Sequence, residues 1–342
     1  MNIRKPDIIL SNRIAFLLLV LTVSFGLCAC SDTTENLRHE NKIETTAEHN
    51  KRTAKYELAS GDNIYNIVFM SDTQFYSKNK SDIYYAMVDY LVDNKEEKNF
   101  EYVIHAGDLT ENCEDTSQWQ VASIAMSKLD ENIPYGVLAG NHDQSKDESQ
   151  RFKAYTDYFG ESRYDGRAYF ESSHENCRAM CHLVTVGNTD FVVVYISDNP
   201  DEGCISFANE SFKKYDDRIG ILCVHNYLNK NIVLSKPGEY ISEKIVKCNR
   251  NIYMVLCGHE LAAGLYTSEF DDDGDGVADR TVCQIIADYQ EAGNDGCMMF
   301  LQINEIDNTL TGISYSPITD KYGGYKNKNT GEFRVEIPWK KY

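Results

Sequence analysis

Runs of aliphatic and β-branched residues recur along the chain, and between them the apolar positions fall at helical spacing. IYNIVFM (64–70), YVIHA (102–106), YGVLA (135–139), FVVVYI (191–196), GILCV (220–224) and IYMVL (252–256) are short and almost uniformly apolar, which predicts strands buried on both faces. Ile83, Met87, Tyr90 and Leu91 repeat every three to four residues, as do Val121, Ile124, Ala125 and Leu129. A third set, Tyr240, Ile241, Lys244, Ile245 and Cys248, follows Pro237-Gly238, with a proline suited to a first helical turn. Strand and helix in alternation predict an α/β fold on a buried sheet. Past residue 260 the pattern turns to strands alone, TVCQIIADY, CMMFLQI and TLTGISYS, which predicts a second sheet packed on the first. Segments 144–185 and 198–218 are expected to be loops, with Tyr155, Arg163, Tyr164, Arg167 and Tyr169 more suited to covering the core than to gripping a ligand.

The first residues follow a different pattern. Arg4, Lys5 and Arg13 precede an apolar stretch from Ile14 to Ala29, the length of a signal-peptide core and short for a membrane span. It ends in Leu27-Cys28-Ala29-Cys30, which resembles the lipobox of bacterial lipoproteins. That resemblance implies cleavage after residue 29, lipid on Cys30 and an exported chain held at the cell membrane; a plain signal peptide or an uncleaved anchor is the alternative. Residues 30–60 carry almost no apolar anchors and predict a polar tether, leaving 61–342 as one domain.

Composition narrows the partners. With 34 Lys and Arg against 53 Asp and Glu, the net charge of −19 argues against nucleic acid and against loose adsorption to anionic lipid. No obligate protein partner is implied. Eleven cysteines suggest disulfides, yet two fall at the lipobox, Cys223 and Cys257 lie inside strand-like runs, and only Cys177 and Cys181 are close together. A thiol chemistry is disfavoured by the absence of CxxC.

The residues that leave the apolar runs carry the chemistry. IYNIVFM is followed by Ser71-Asp72-Thr73-Gln74, YVIHA by Gly107-Asp108, and YGVLA by Gly140-Asn141-His142-Asp143. GILCV is followed by His225, and IYMVLC by Gly258-His259. Ligands of open α/β sheets bind beyond the carboxyl ends of strands, so these oxygen and imidazole donors should converge. His105 and His182 lack that setting and are expected in the core.

This order resembles the calcineurin-like metallophosphoesterase family, whose signature runs D-x-H, GD, GNH(D/E), H and GHxH; the resemblance covers roughly residues 62–318. It implies a two-sheet sandwich flanked by helices, in four layers α/β/β/α. It implies that Asp108 bridges two metals, that Asp72 and Gln74 serve the first, and that Asn141, His225 and His259 complete the second. The ions would be Mn, Fe, Zn or Co, as mixed oxygen and imidazole donors suit. Together they would clamp a small phosphorylated substrate and generate hydroxide for hydrolysis of a mono- or diester. His142 would donate to the leaving oxygen, with Asp143 orienting its ring.

Two positions depart from the signature. Gln74 stands where the family usually has His, a variant found in a D-T-Q subset that the later ADYQ (287–290) also resembles. Leu261 replaces the second His of GHxH and cannot ligate. The expected consequence is one tight and one weaker metal site, or a member that binds a phosphorylated ligand without turning it over. Separately, Asp271, Asp273, Asp275 and Asp279 with Gly276 fall at the positions of a calcium loop, though its twelfth position is Val282 rather than Glu. An acidic hairpin tip is the competing reading.

Overall fold

The computed structural model describes residues 55–290, 295–323 and 330–339. The leader, Cys30 and the tether up to residue 54 lie outside the described residues. Among the described residues, fourteen strands form two sheets. In chain order they are β1 Ile64–Met70, β2 Phe100–His105, β3 Tyr135–Val137, β4 Phe170–His174, β5 Ala179–Val186, β6 Thr189–Ile196 and β7 Ile219–Val224. They continue as β8 Ile252–Cys257, β9 Ala263–Phe270, β10 Arg280–Ala287, β11 Met298–Asn304, β12 Thr309–Ser316, β13 Lys321–Tyr322 and β14 Phe333–Glu336.

The first sheet runs β13-β12-β11-β1-β2-β3, with β14 on β12; the second runs β4-β5-β6-β7-β8-β10-β9. Within each sheet lies a parallel core, β1-β2-β3 in one and β6-β7-β8-β10 in the other. Both faces of these strands are buried, as the uniform apolar runs require. In β6, Val193 and Tyr195 join the core shared with the first sheet, while Val192, Val194 and Ile196 join a cluster with Ile205, Ala208 and Phe212 of the helix Glu202–Lys214. On the far side of the first sheet, Tyr84, Met87, Val88 and Leu91 of Ser81–Asp93 and Trp119, Ala122 and Met126 of Thr116–Ser127 are buried. The expected helix–sheet–sheet–helix sandwich is present. Asp115 and Asp201 cap their helices by accepting from Ser117 N and Cys204 N, both at 3.0 Å.

Three expectations are corrected. The late strands do not make a separate sheet: β10 lies parallel to β8 in the second, whereas β11 and β12 extend the first through an antiparallel pairing of β11 with β1. A local apolar pattern marks a strand but not its partner. Segments 144–185 and 198–218 are not loops, since they hold the helices Lys153–Phe159, Glu161–Tyr164 and Glu202–Lys214 and the strands β4 and β5. The strand β5 is masked in the sequence by His182, which an aromatic cage accommodates. Its Nδ1 lies 2.6 Å from the Tyr102 hydroxyl, and Tyr164, Tyr169, Phe170 and Tyr195 pack around the ring. Burial lowers its pKa to about 3, so it stays neutral, as the core reading expects. Tyr155 and Tyr164 are likewise fully buried. Finally, Ile124 and Tyr240 fall on exposed sides of their helices.

Candidate metal centre

Five loops leave the parallel strands of the two sheets and meet at one edge of the sandwich. Glycine makes the approach possible. A Cβ on Gly140 would lie 2.1 Å from Asp108 Oδ1, and one on Gly258 would lie 2.2 Å from Asp72 Oδ2. Three of the expected ligands also hold left-handed backbone that side chains rarely adopt: Asp72 at φ 55°, Asp108 at 53° and His259 at 75°. Such strain clusters at functional sites, where surrounding contacts hold it in place. Here Asp72 N donates to Gly107 O at 2.9 Å, and Gly258 N donates to His225 O at 3.0 Å. His105 supports the same loops from the core. Its Nδ1 accepts from Gly107 N at 3.2 Å, so its Nε2 carries the hydrogen toward the Thr73 hydroxyl 2.9 Å away.

The donors converge as the sequence predicts. Ligand atoms of Asp72, Asp108 and His225 all lie within 4.8 Å of one another, and all three side chains are buried. His225 Nδ1 sits 2.8 Å from the Ala106 carbonyl, which can only accept, so Nδ1 carries the hydrogen and Nε2 is presented to the centre. That Nε2 lies 3.0 Å from Asn141 Oδ1 and 3.4 Å from Asp108 Oδ2. Asn141 Oδ1 is also 2.8 Å from His259 Nδ1, so one amide oxygen stands between two imidazoles. Gln74 Nε2 donates to Asp108 Oδ2 at 3.4 Å, which leaves Gln74 Oε1 buried with no partner.

Burial and neighbouring charge act on each of these groups. Burial, and next the Asp288 charge, raise the Asp72 carboxyl well above the carboxylate range. Burial acts the same way on Asp108, but the adjoining His225 imidazole outweighs it and holds that carboxyl low. Burial works against a charged His225, yet Asp108 and Asp72 draw its pKa well above the usual value. A pair of buried carboxylates, an orphaned amide oxygen and imidazoles turned toward them make a donor set that a divalent transition ion would satisfy.

The two expected catalytic residues part company. His142 lies at the rim with its side chain 39% exposed; its backbone N–H donates to Asp108 Oδ1 at 2.9 Å. Its ring is oriented by Glu111, whose carbonyl lies 3.1 Å from Nδ1 and whose carboxylate lies 3.8 Å away. Asp143 does not orient His142. It is fully buried and accepts from Gly140 N at 2.9 Å, Leu109 N at 3.1 Å, and both the N–H and hydroxyl of Thr110 at 2.9 Å. Asp143 therefore ties the Gly-Asn-His loop to the Gly-Asp loop. Burial and the Asp108 charge push its carboxyl up to about 7, against four donors that favour the charged form.

A further buried acid, Asp288, lies beyond the residues that the family resemblance implies. Asp288 follows β10 directly, at the strand end parallel to the one that carries His259. The Ser71 hydroxyl bridges Asp72 Oδ2 at 2.5 Å and the Ala287 carbonyl at 2.9 Å, which ties the two loops together. Burial raises Asp288 to about 7 against the donors of Gln290. Its signal was the same as the others, a carboxylate leaving an apolar strand. Leu261, by contrast, is 46% exposed and contributes nothing to the centre.

Two other clusters stand apart. Asp271, Asp273 and Asp275 lie at the exposed tip between β9 and β10 with carboxylate atoms within 4.8 Å. Asp279 folds back to accept from Asp272 N and Asp273 N, at 2.7 and 3.2 Å, and Val282 is buried in β10. His174, Asp201 and Cys204 also gather, but Asp201 pairs with Arg178 at 2.8 Å and burial pushes the Cys204 thiol up to about 11. All nine described cysteines are free.

Comparison with known proteins agrees with the geometry. The chain is 36% identical over 295 residues to the protein YvnB of Bacillus subtilis (strain 168), covering 83% of this chain and 22% of that one. The chain thus spans about a fifth of the length of that curated relative. Among solved structures, the purple acid phosphatase PPD1 from yellow lupin seeds shares the fold. Its TM-score is 0.52 and its identity 13%, covering 84% of this chain and 56% of that one. The family model for calcineurin-like phosphoesterases matches residues 65–263, a span that opens in β1 and closes just past His259. The chain belongs to the calcineurin-like phosphoesterase family.

Proposed function

We propose that the chain hydrolyses a phosphate mono- or diester with divalent transition metals bound at this edge. The reading rests on one observation above all, the convergence of Asp72, Asp108 and His225 with Asn141 between two imidazoles. Asp108 would serve both ions, Asp72 and Gln74 the first, and Asn141, His225 and His259 the second. When bound, such ions supply positive charge to the phosphoryl group and acidify water. The chain's own residues do the rest. The Glu111 carbonyl accepts from His142 Nδ1, so Nδ1 keeps its hydrogen and Nε2 is left for the centre. Only as the imidazolium, with both nitrogens protonated, would the ring give its Nε2 proton to the leaving alcohol and end as the Nδ1–H tautomer. In the net reaction the P–O bond to the alcohol breaks, a water oxygen takes its place, and the alcohol departs protonated.

A His142→Ala variant is expected to lose about 10²- to 10⁴-fold in kcat on p-nitrophenyl phosphate or its bis ester with manganese, while retaining its metal. The exposed Leu261, where the family has a ligand, favours a second reading in which the chain binds a phosphorylated ligand without turnover. Wild-type rates no greater than those of the His142→Ala variant would decide for that reading.

The lipobox-like sequence supports an anchor on Cys30 as a further part of this reading. A Cys30→Ser variant should leave the membrane fraction when the full chain is expressed in a bacterium; unchanged partitioning would refute the anchor. Calcium at Asp271, Asp273 and Asp275 is supported by their spacing and proximity. Millimolar calcium should then raise the melting temperature, and should not do so after Asp273→Asn; no shift in the wild type leaves a solvated hairpin tip.

A further inference from the structure

A cavity of about 530 Å³ opens beside the metal centre, with His225 in its wall. That volume suits a small organic group. Its walls come from the ends of β6 and β7 and from the helix Lys236–Ile241, which places it on the His225 side of the centre. Ile196, Val224 and Ile241 supply apolar surface. Among the described residues no lysine or arginine lines the cavity, and the one lining carboxylate is Asp198.

Asp198 pairs with no lysine or arginine among the described residues. Gln144 donates to its Oδ2 at a long 3.3 Å, and its charge is felt by both His225 and His259. Tyr240, also in the wall, donates its hydroxyl to Glu202 at 2.8 Å, so a second acid stands nearby. These charges disfavour a second phosphate or any other anionic substituent. They favour a cation that can place methylene or methyl groups against the apolar wall and its charge near Asp198. The Tyr240 ring adds nothing to this attraction, because the Lys244 ammonium already lies 5.8 Å from its centroid.

Resting on the phosphoesterase reading above, we propose that this cavity binds the ammonium-bearing substituent of a zwitterionic phosphodiester, of the phosphocholine or phosphoethanolamine type. The overall charge fits the same class. A chain of net charge −19 repels an anionic ester at long range, whereas a diester with one ammonium group has no net charge to repel.

The test compares two esters that differ only in the ammonium group, p-nitrophenyl phosphorylcholine and ethyl p-nitrophenyl phosphate, on manganese-loaded protein. The expected kcat/KM favours the choline ester at least tenfold, and Asp198→Asn brings the ratio to about one. Hydrolysis of both esters with a ratio near one in the wild type overturns the proposal and leaves the phosphoesterase reading standing. If neither ester nor p-nitrophenyl phosphate is hydrolysed, that reading fails, and calorimetric titration decides on the cavity alone. Phosphocholine binding at least tenfold tighter than inorganic phosphate, with the difference lost in Asp198→Asn, upholds the proposal; equal binding overturns it.

Discussion

An Asp108→Asn variant is expected to lose about 10³-fold in kcat/KM on p-nitrophenyl esters and to bind fewer metal ions than the wild type. The substitution preserves size and the acceptor for His142 N–H, 2.9 Å away, so the loop should keep its course. What disappears is the negative charge that both proposed sites would share. Asp108 lies 3.4 Å from His225 Nε2 and forms a cluster with Asp72, so its loss weakens a centre rather than a single contact. Metal stabilisation of the transition state is worth several kcal/mol, and about 4 kcal/mol corresponds to a factor near 10³. Metal titration of the two proteins checks the cause. The wild type should show one tight and one weaker ion, since Leu261 adds nothing to the first site; Asp108→Asn should weaken both. A variant with full metal content and activity within tenfold of wild type would remove Asp108 from the centre.

The sequence exposes strand ends better than it exposes their surroundings. Gly107-Asp108, Gly140-Asn141-His142 and Gly258-His259 are legible because each follows an apolar run that can only be a buried strand, and parallel strands of a sandwich deliver their ends to one edge. The roles of Asp143 and Glu111 are not legible in this way. Asp143 adjoins His142 in sequence, yet its side chain turns inward to four donors, while Glu111 from another loop reaches the imidazole. Adjacency gives no side-chain direction where the backbone turns. The left-handed φ of Asp72, Asp108 and His259 is similarly hidden, because Asp and His carry no mark of that conformation as Gly would. Asp288 was legible in principle. Only the β8–β10 pairing, which runs through Ile286 opposite Cys257, brings its strand end alongside the one that carries His259.

Gly140→Ala tests whether the centre depends on close backbone approach as much as on its ligands. Neither Gly140 nor Gly258 holds left-handed backbone, so what demands glycine at these positions is space. An alanine Cβ at 140 would lie 2.1 Å from Asp108 Oδ1 and 2.5 Å from Asp108 N, and a backbone atom cannot rotate away. The Gly-Asp loop must shift, and Asp143, which ties the two loops through Gly140 N, must shift with it. Overpacking of this kind costs about 1–3 kcal/mol of stability. A displacement of about 1 Å at a reacting centre costs about 10²-fold in rate. At Gly258 the corresponding contacts are the Asp72 carboxylate at 2.2 Å and the Ser71 hydroxyl at 2.6 Å, both side-chain atoms that can yield. Gly140→Ala should therefore weaken both metal ions and lower activity about 100-fold, whereas Gly258→Ala should weaken chiefly the ion that depends on Asp72. Metal titration and kcat/KM measured on both variants separate the two effects. Equal behaviour of the two would mean that space around Asp108 does not govern how the shared carboxylate is held.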